Sequence, residues 1–202
     1  MLRGLLGKDR DGAALLAKLL ISFLPAAIAG VALHRAIKAA LFGPGPVAAA
    51  LALGGLVMIA TAGRLRARLQ GSTRTLASIT WREAAIIGLA QCLSLWPGTS
   101  RAMVTMLAGM MLGLPATAAA EYSFLLALPT LGAATLFDAA KGGQLLAQQV
   151  GPVSIVCGFV SAALVAALSV RGLVRYLARR GLAPFGWYRI GLAGLVGMRL
   201  FQ

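Results

Sequence analysis

One arginine stands inside a long apolar stretch, a few residues after a proline–glycine break. The segment is Trp96-Pro97-Gly98-Thr99-Ser100-Arg101, and Thr105 follows one helical turn later. A guanidinium group binds phosphate oxygens through a planar fork of N–H donors, and the hydroxyls of Thr99, Ser100 and Thr105 could supplement it. The residue types and their spacing therefore predict an anion site, with phosphate as the favoured ligand.

The cost of placing Arg101 in such a stretch points to the same chemistry. An arginine deep in a bilayer costs roughly 2.5–3.5 kcal/mol, so a carboxylate, a water-filled cavity or an anionic ligand must compensate. Ser100 and Arg101 open a predicted helix, whose free N–H groups and positive dipole end favour an anion. The alternative is a structural ion pair with Glu121, early in the next apolar stretch. Both interpretations are compatible, because a nearby carboxylate could orient Arg101 or bind a cation.

Other polar residues give weaker predictions. Gln91 lies before the break and either hydrogen-bonds within a helix bundle or approaches the anion site. His34 is predicted to lie at a membrane interface. The sequence has one histidine and five acidic residues, so a cage of several histidines is impossible. Any metal would need oxygen ligands from a few carboxylates and from substrate phosphates, and the sequence names no metal ligand.

The composition decides which class of protein must position these residues. Of 202 residues, 59% are hydrophobic and 12% are charged, whereas soluble domains are about 45–50% apolar and about 25% charged. Too little polar surface remains for a water-facing exterior, which excludes a soluble globular enzyme. The net charge is +14, but the basic residues form short clusters between apolar runs, so we expect no nucleic-acid partner. The prediction is an all-α polytopic transmembrane helix bundle, a single integral membrane domain over residues 1–202.

The apolar runs predict about five spans and one re-entrant helix pair. The predicted spans are residues 13–33, 46–63, 116–137, 153–170 and 184–201. Residues 81–114 are divided by Pro97-Gly98 into halves of about 15 residues, or about 22 Å, which is short of a hydrocarbon core of about 30 Å. We therefore expect a helical hairpin over 81–114 that turns inside the membrane, around a buried or wet site.

The basic clusters predict an orientation. If the hairpin returns to its own side, the cluster before residue 13 and those at 64–82 and 171–180 all face the same side. The positive-inside rule then places the N-terminus in the cytoplasm.

Two segments carry a family resemblance: residues 91–101, continuing to Thr105, and residues 120–129, which read AEYSFLLALP. Together they resemble the undecaprenyl-diphosphate phosphatase family, the bacitracin-resistance membrane proteins. The resemblance implies a bundle in the bacterial plasma membrane with two re-entrant helix pairs arranged as inverted repeats. It implies removal of one phosphate from a polyprenyl diphosphate lipid of cell-wall synthesis, on the outer side, with a divalent cation, Mg²⁺ or Ca²⁺. The expected partners are that lipid, the membrane and, as an alternative to a monomer, a second copy in a homodimer.

The resemblance also implies residue roles. Arg101 would stabilise charge on the departing phosphate, while Ser100 and Thr105 would contact phosphate oxygens, with Ser100 as candidate nucleophile. The family pattern continues with Ser-Gly where this chain has Ala102 and Met103.

The family's acidic motif with serine and histidine has no counterpart, because no glutamate precedes Glu83. We therefore expect the chain to begin about one hairpin and one span or more into the family's length. Three functions stay open: a phosphatase, a non-hydrolytic polyprenyl-phosphate binder or transporter, and an inactive truncated homologue.

Overall fold

Seven α-helices make up most of the protein. The computed structural model describes residues 10–200, and within them the side chains of residues 12–142 and 150–198. The helices are α1 Arg10–Leu41, α2 Pro44–Arg68, α3 Trp81–Gln91, α4 Arg101–Met111, α5 Ala116–Val150, α6 Pro152–Arg180 and α7 Ala183–Leu200. Two short 3₁₀ helices, Leu76–Ser78 and Cys92–Leu95, flank α3. The described residues contain no strand, and the prediction of an all-α bundle is confirmed.

The long helices account for the predicted spans. Four of them, α1, α2, α5 and α6, are long and apolar enough to cross a membrane. The fifth predicted span corresponds to α7, which has 18 residues and is about 27 Å long. Phe201, which the prediction included, lies outside the described residues. Residues 152–169 of α6 are exposed throughout, so this helix presents its apolar side chains outward, as expected of an integral membrane protein.

Helices α3 and α4 form the hairpin expected over 81–114. Each has 11 residues and is about 16 Å long. Arg74 joins the start of α3 to the end of α4, because its Nη1 donates to Glu83 Oε1 at 2.9 Å and to the Leu112 carbonyl at 2.7 Å. Both ends of the hairpin therefore lie together at its base, and the chain turns back between α3 and α4. Helix α1 packs against α3, α5 against α4, and α2 against both α4 and α7.

A buried hydroxyl network joins α1, α3 and α5. Ser22 Oγ lies 2.6 Å from the Ala84 carbonyl and 2.7 Å from the Tyr122 hydroxyl. The helices α1 and α3 approach closely here, since a Cβ at Gly88 would lie 2.6 Å from the Ser22 carbonyl oxygen. This contact fixes α3, the first half of the hairpin, against α1.

Two of the basic clusters lie at one end of the bundle. Arg66 near the end of α2 and Gly181 after α6 line one cavity, together with Met110 and Pro115 at the hairpin base. We call this the basic end. The turn between α3 and α4 lies at the opposite end. The expectation that the basic clusters at 64–82 and 171–180 face the same side agrees with this arrangement.

Candidate functional site

The turn between α3 and α4 places an exposed hydroxyl at a helix N-terminus. Ser100 has a φ of 67°, a positive value that no other non-glycine residue in the described chain adopts. Such a conformation costs of order 1–3 kcal/mol and persists only where the surroundings fix it. Ser100 Oγ accepts from the Met103 N–H at 3.4 Å, and the Ser100 carbonyl accepts from Val104 at 3.1 Å. The remaining N–H groups of the first turn, those of Arg101 and Ala102, are left for a ligand.

Arg101 is half-buried beside α5 and has no acidic partner among the described side chains. Its Nη1 donates to the Ser123 carbonyl at 3.3 Å. Among the described side chains the single ion pair is that of Arg74 and Glu83, and Glu121 is exposed. The alternative ion pair between Arg101 and Glu121 is therefore not present among the described side chains. The reason is helical geometry: two residues rotate by about 200°, so Glu121 points away from the face on which Ser123 meets α4.

Thr105 lies beneath Arg101 and holds α4 against α5. The residue is 1% exposed, and its hydroxyl lies 2.6 Å from Ser123 Oγ and donates to the Arg101 carbonyl at 2.9 Å. Thr99 closes the turn instead, since its Oγ1 donates to the Trp96 carbonyl at 2.6 Å. The structure therefore brings Arg101, Thr105 and Ser123 together, with Ser100 at the open end of the group. Ser123 belongs to the second segment of the resemblance, but sequence reasoning gave it no role.

Gln91 makes its hydrogen bond within the bundle. Its Nε2 donates to Thr130 Oγ1 at 3.4 Å, and its buried Oε1 has no partner in the described chain. It lines an apolar groove of about 380 Å³ between α1 and α5, whose walls include Phe23 and Phe137 but neither Ser100 nor Arg101. Of its two predicted roles, the internal hydrogen bond is the one present in this structure.

A second buried arginine, absent from the sequence-based site, contacts the turn. Arg189 of α7 is 8% exposed, and its Nη2 donates to the Gly98 carbonyl at 2.5 Å and to the Ala50 carbonyl at 3.3 Å. The signal was present in the sequence, because an arginine within the last apolar run carries the same cost as Arg101. Arg189 thus contacts the turn at Gly98, while Arg101 and the free N–H groups lie at the start of α4. This positive charge and the helix N-terminus favour a compact anion.

The described residues do not form a metal site of their own. No three histidine, cysteine or acidic side chains lie close enough together in the described chain to hold an ion. The carboxylate of Glu83 is occupied by Arg74, and that of Glu121 faces outward. The divalent cation implied by the resemblance therefore does not fit these residues alone, and we assign no step to it.

Comparison with known proteins gives one consistent result. The family model described as bacitracin resistance protein BacA matches residues 2–195. The chain is 51% identical to the undecaprenyl-diphosphatase of Sorangium cellulosum, covering 96% of this chain and 64% of that protein. It is 46% identical to undecaprenyl-diphosphatase 2 of Rhodospirillum rubrum, covering 95% of this chain and 68% of that protein. The chain thus spans about two thirds of the length of these relatives, and it belongs to the bacitracin resistance protein BacA family.

Proposed function

We propose that this chain binds the diphosphate group of a polyprenyl diphosphate, undecaprenyl diphosphate above all, and removes its terminal phosphate. The names of its relatives support the substrate and the reaction. The observation that carries the proposal is the half-buried Arg101 at the start of α4, which has no carboxylate partner in the described chain. An uncompensated guanidinium at that position is best explained by an anionic ligand.

The reaction assigns distinct tasks to the described residues. Arg101 and the free N–H groups of α4 would bind the phosphoryl oxygens and stabilise the negative charge that develops on them. A phosphorus–oxygen bond to water or to the candidate nucleophile Ser100 forms as the bridging bond breaks. Polyprenyl monophosphate leaves, and the attacking oxygen loses its proton to solvent. Where Ser100 attacks, water then cleaves the phosphoserine, so inorganic phosphate is the final product of either route. No described histidine or carboxylate hydrogen-bonds Ser100, so we assign the general base to none of the described residues.

The bundle supplies the setting. We propose that it resides in the bacterial plasma membrane with its basic end in the cytoplasm and the turn toward the outer side, in agreement with the positive-inside rule. A lipid substrate could then keep its chain among the acyl chains while its diphosphate reaches the turn. Mg²⁺ or Ca²⁺ as cofactor and a homodimeric assembly stay predictions that rest on the resemblance alone.

Phosphate release tests the proposal. We expect the purified chain in detergent micelles to release phosphate from undecaprenyl diphosphate, and Arg101→Ala to reduce kcat by about 10²–10³-fold. Arg175→Ala, which removes an exposed arginine of α6, is the matched control and should keep the wild-type rate. Equal rates for wild type and Arg101→Ala would remove Arg101 from the mechanism.

A non-hydrolytic binder or transporter is the second candidate. The observation in its favour is that the Ser100 hydroxyl has no base as a hydrogen-bond partner among the described residues. Saturable binding of undecaprenyl phosphate without phosphate release, weakened by Arg101→Ala, would select this function. Neither binding nor release would select an inactive homologue.

A further inference from the structure

Within the described part of the chain Arg189 is buried without a charged partner, and its hydrogen bonds are all to backbone carbonyls. Besides its bonds to the Gly98 and Ala50 carbonyls, its Nε is buried and has no hydrogen-bond partner in the described chain. Burying an incompletely paired guanidinium is unfavourable, so a role in general helix association explains it poorly. Its hydrogen bond to the Gly98 carbonyl instead connects α7 to the turn between α3 and α4.

Glycines at the crossing of α2 and α7 make room for this side chain. A Cβ at Gly54 would lie 2.6 Å from Arg189 Nη2, and a Cβ at Gly186 would lie 2.8 Å from the Gly55 carbonyl oxygen. The two helices therefore meet at backbone distance, as small residues allow in membrane bundles. The guanidinium lies within that crossing and extends from α7 to the hairpin turn.

The turn is fixed by contacts on both sides of Gly98. Trp96 Nε1 donates to the Pro46 carbonyl at 3.1 Å, and Gly98, at a φ of 97°, sits where a Cβ would lie 2.7 Å from the Val47 carbonyl oxygen. Two residues later comes Ser100 with its unfavourable φ of 67°. A strained backbone of this kind needs external support, and Arg189 supplies it at Gly98.

We propose that Arg189 is a positioning residue: by fixing the Gly98 carbonyl, it holds Ser100 and the first N–H groups of α4 in the conformation that receives phosphate. The effect on phosphate chemistry rests on the proposed function, whereas the effect on the turn does not. Two measurements separate them.

The first measurement reads the turn directly through Trp96. In a Trp81→Phe/Trp187→Phe background, Trp96 is the remaining tryptophan of the sequence. We expect Arg189→Gln to shift Trp96 emission to longer wavelength and to increase its quenching by acrylamide. Arg175→Gln removes an equal charge at an exposed position of α6 and should leave both unchanged. Trp96 emission and quenching unaltered by Arg189→Gln would overturn the proposal.

A second pair of variants moves Arg189 without removing its charge. Gly54→Ala would displace the guanidinium, while Gly63→Ala in the same helix meets no atom within 4 Å. We expect Gly54→Ala to reproduce the Trp96 change and Gly63→Ala to leave it unaltered. This pair keeps the test decisive if Arg189→Gln does not fold, and an unaltered Trp96 in Gly54→Ala contradicts positioning through Gly98.

The second measurement is the kinetics with undecaprenyl diphosphate. We expect Arg189→Gln and Gly54→Ala to lower kcat/KM by about tenfold or more, chiefly through kcat, because the turn binds the transition-state charge. Arg175→Gln and Gly63→Ala should retain the wild-type value. A mobile turn with unchanged kcat/KM would overturn the positioning role. Absence of hydrolysis in the wild type would instead refute the proposed function, and Trp96 would still decide whether Arg189 fixes the turn.

Discussion

At the scale of single residues, Arg101 and Thr105 share one face of α4 but occupy different environments. Arg101 has one weak contact, to the Ser123 carbonyl, whereas the Thr105 hydroxyl is buried and fully engaged. Ser123 contacts both residues: its carbonyl accepts from Arg101, and its hydroxyl is hydrogen-bonded to the Thr105 hydroxyl. A single position on α5 therefore contacts both polar side chains of α4.

Thr105 allows a test of structural against ligand-binding roles. We expect Thr105→Val to lower the free energy of unfolding in detergent by about 1–3 kcal/mol, because Ser123 Oγ loses a buried partner. Thr105→Ser keeps the hydroxyl and should cost clearly less. In a double-mutant cycle, adding Ser123→Ala to Thr105→Val should cost less than the sum of the single changes.

The opposite pattern would be equally informative. Wild-type stability in Thr105→Val, together with slower phosphate release, would mean that Thr105 contacts phosphate, as the resemblance implies.

Residue types within one segment predicted part of the site, whereas the remainder depends on contacts between helices that are distant in the sequence. The break at Pro97-Gly98 and the N-cap at Ser100 follow from residue type, and the structure has both. The environments of Glu121 and Arg189 depend on which helix faces meet and on how α7 crosses α2. No pattern within one segment carries that information.

At the scale of elements, the base of the hairpin is held by a bidentate ion pair. Arg74 Nη1 and Nη2 donate to Glu83 Oε1 and Oε2, both at 2.9 Å. Glu83 also completes a capping box with Thr80 at the start of α3. The ion-pair partner of Glu83 lies nine residues earlier, across the loop, whereas its neighbour Arg82 is exposed.

This pair predicts a pH-dependent stability. The hydrogen bonds from Arg74 are the main cause that lowers the pKa of Glu83 from 4.5 to about 2. Because the folded pKa is below the unfolded value, the stabilisation is present above pH 4.5 and is lost as the pH falls toward about 2. We expect the Tm difference between wild type and Glu83→Gln to shrink over that interval. A difference independent of pH would mean that the capping geometry, and not the charge, stabilises the hairpin.

At the scale of the whole molecule, the basic clusters at 64–82 and 171–180 lie at one end of the bundle and the turn between α3 and α4 lies at the other. Between the two ends lie the long apolar helices, among them α6 with its exposed apolar face, which are long enough to cross a membrane. Composition and charge clusters predicted this division well, because hydrophobic length and charge asymmetry act on whole segments.

The proposed orientation can be measured with cysteine labelling. In a Cys92→Ser/Cys157→Ser background, Gly45→Cys at the turn end and Gln70→Cys at the basic end are both at exposed positions. We expect a membrane-impermeant maleimide to label Gly45→Cys in intact spheroplasts and Gln70→Cys only after permeabilisation. The reverse labelling pattern would invert the bundle.

The level of the turn along α2 has an energetic consequence for a lipid substrate. Gly98 lies against Val47 and Ala50, so the turn is about 9–14 Å from the midpoint of α2, toward its first residue. A headgroup carrying several negative charges would have to shed most of its hydration to reach the bilayer centre. With the midpoint of α2 at the bilayer centre, the proposed lipid substrate would descend only part of that depth, and its product would return to the headgroup layer without crossing the hydrocarbon.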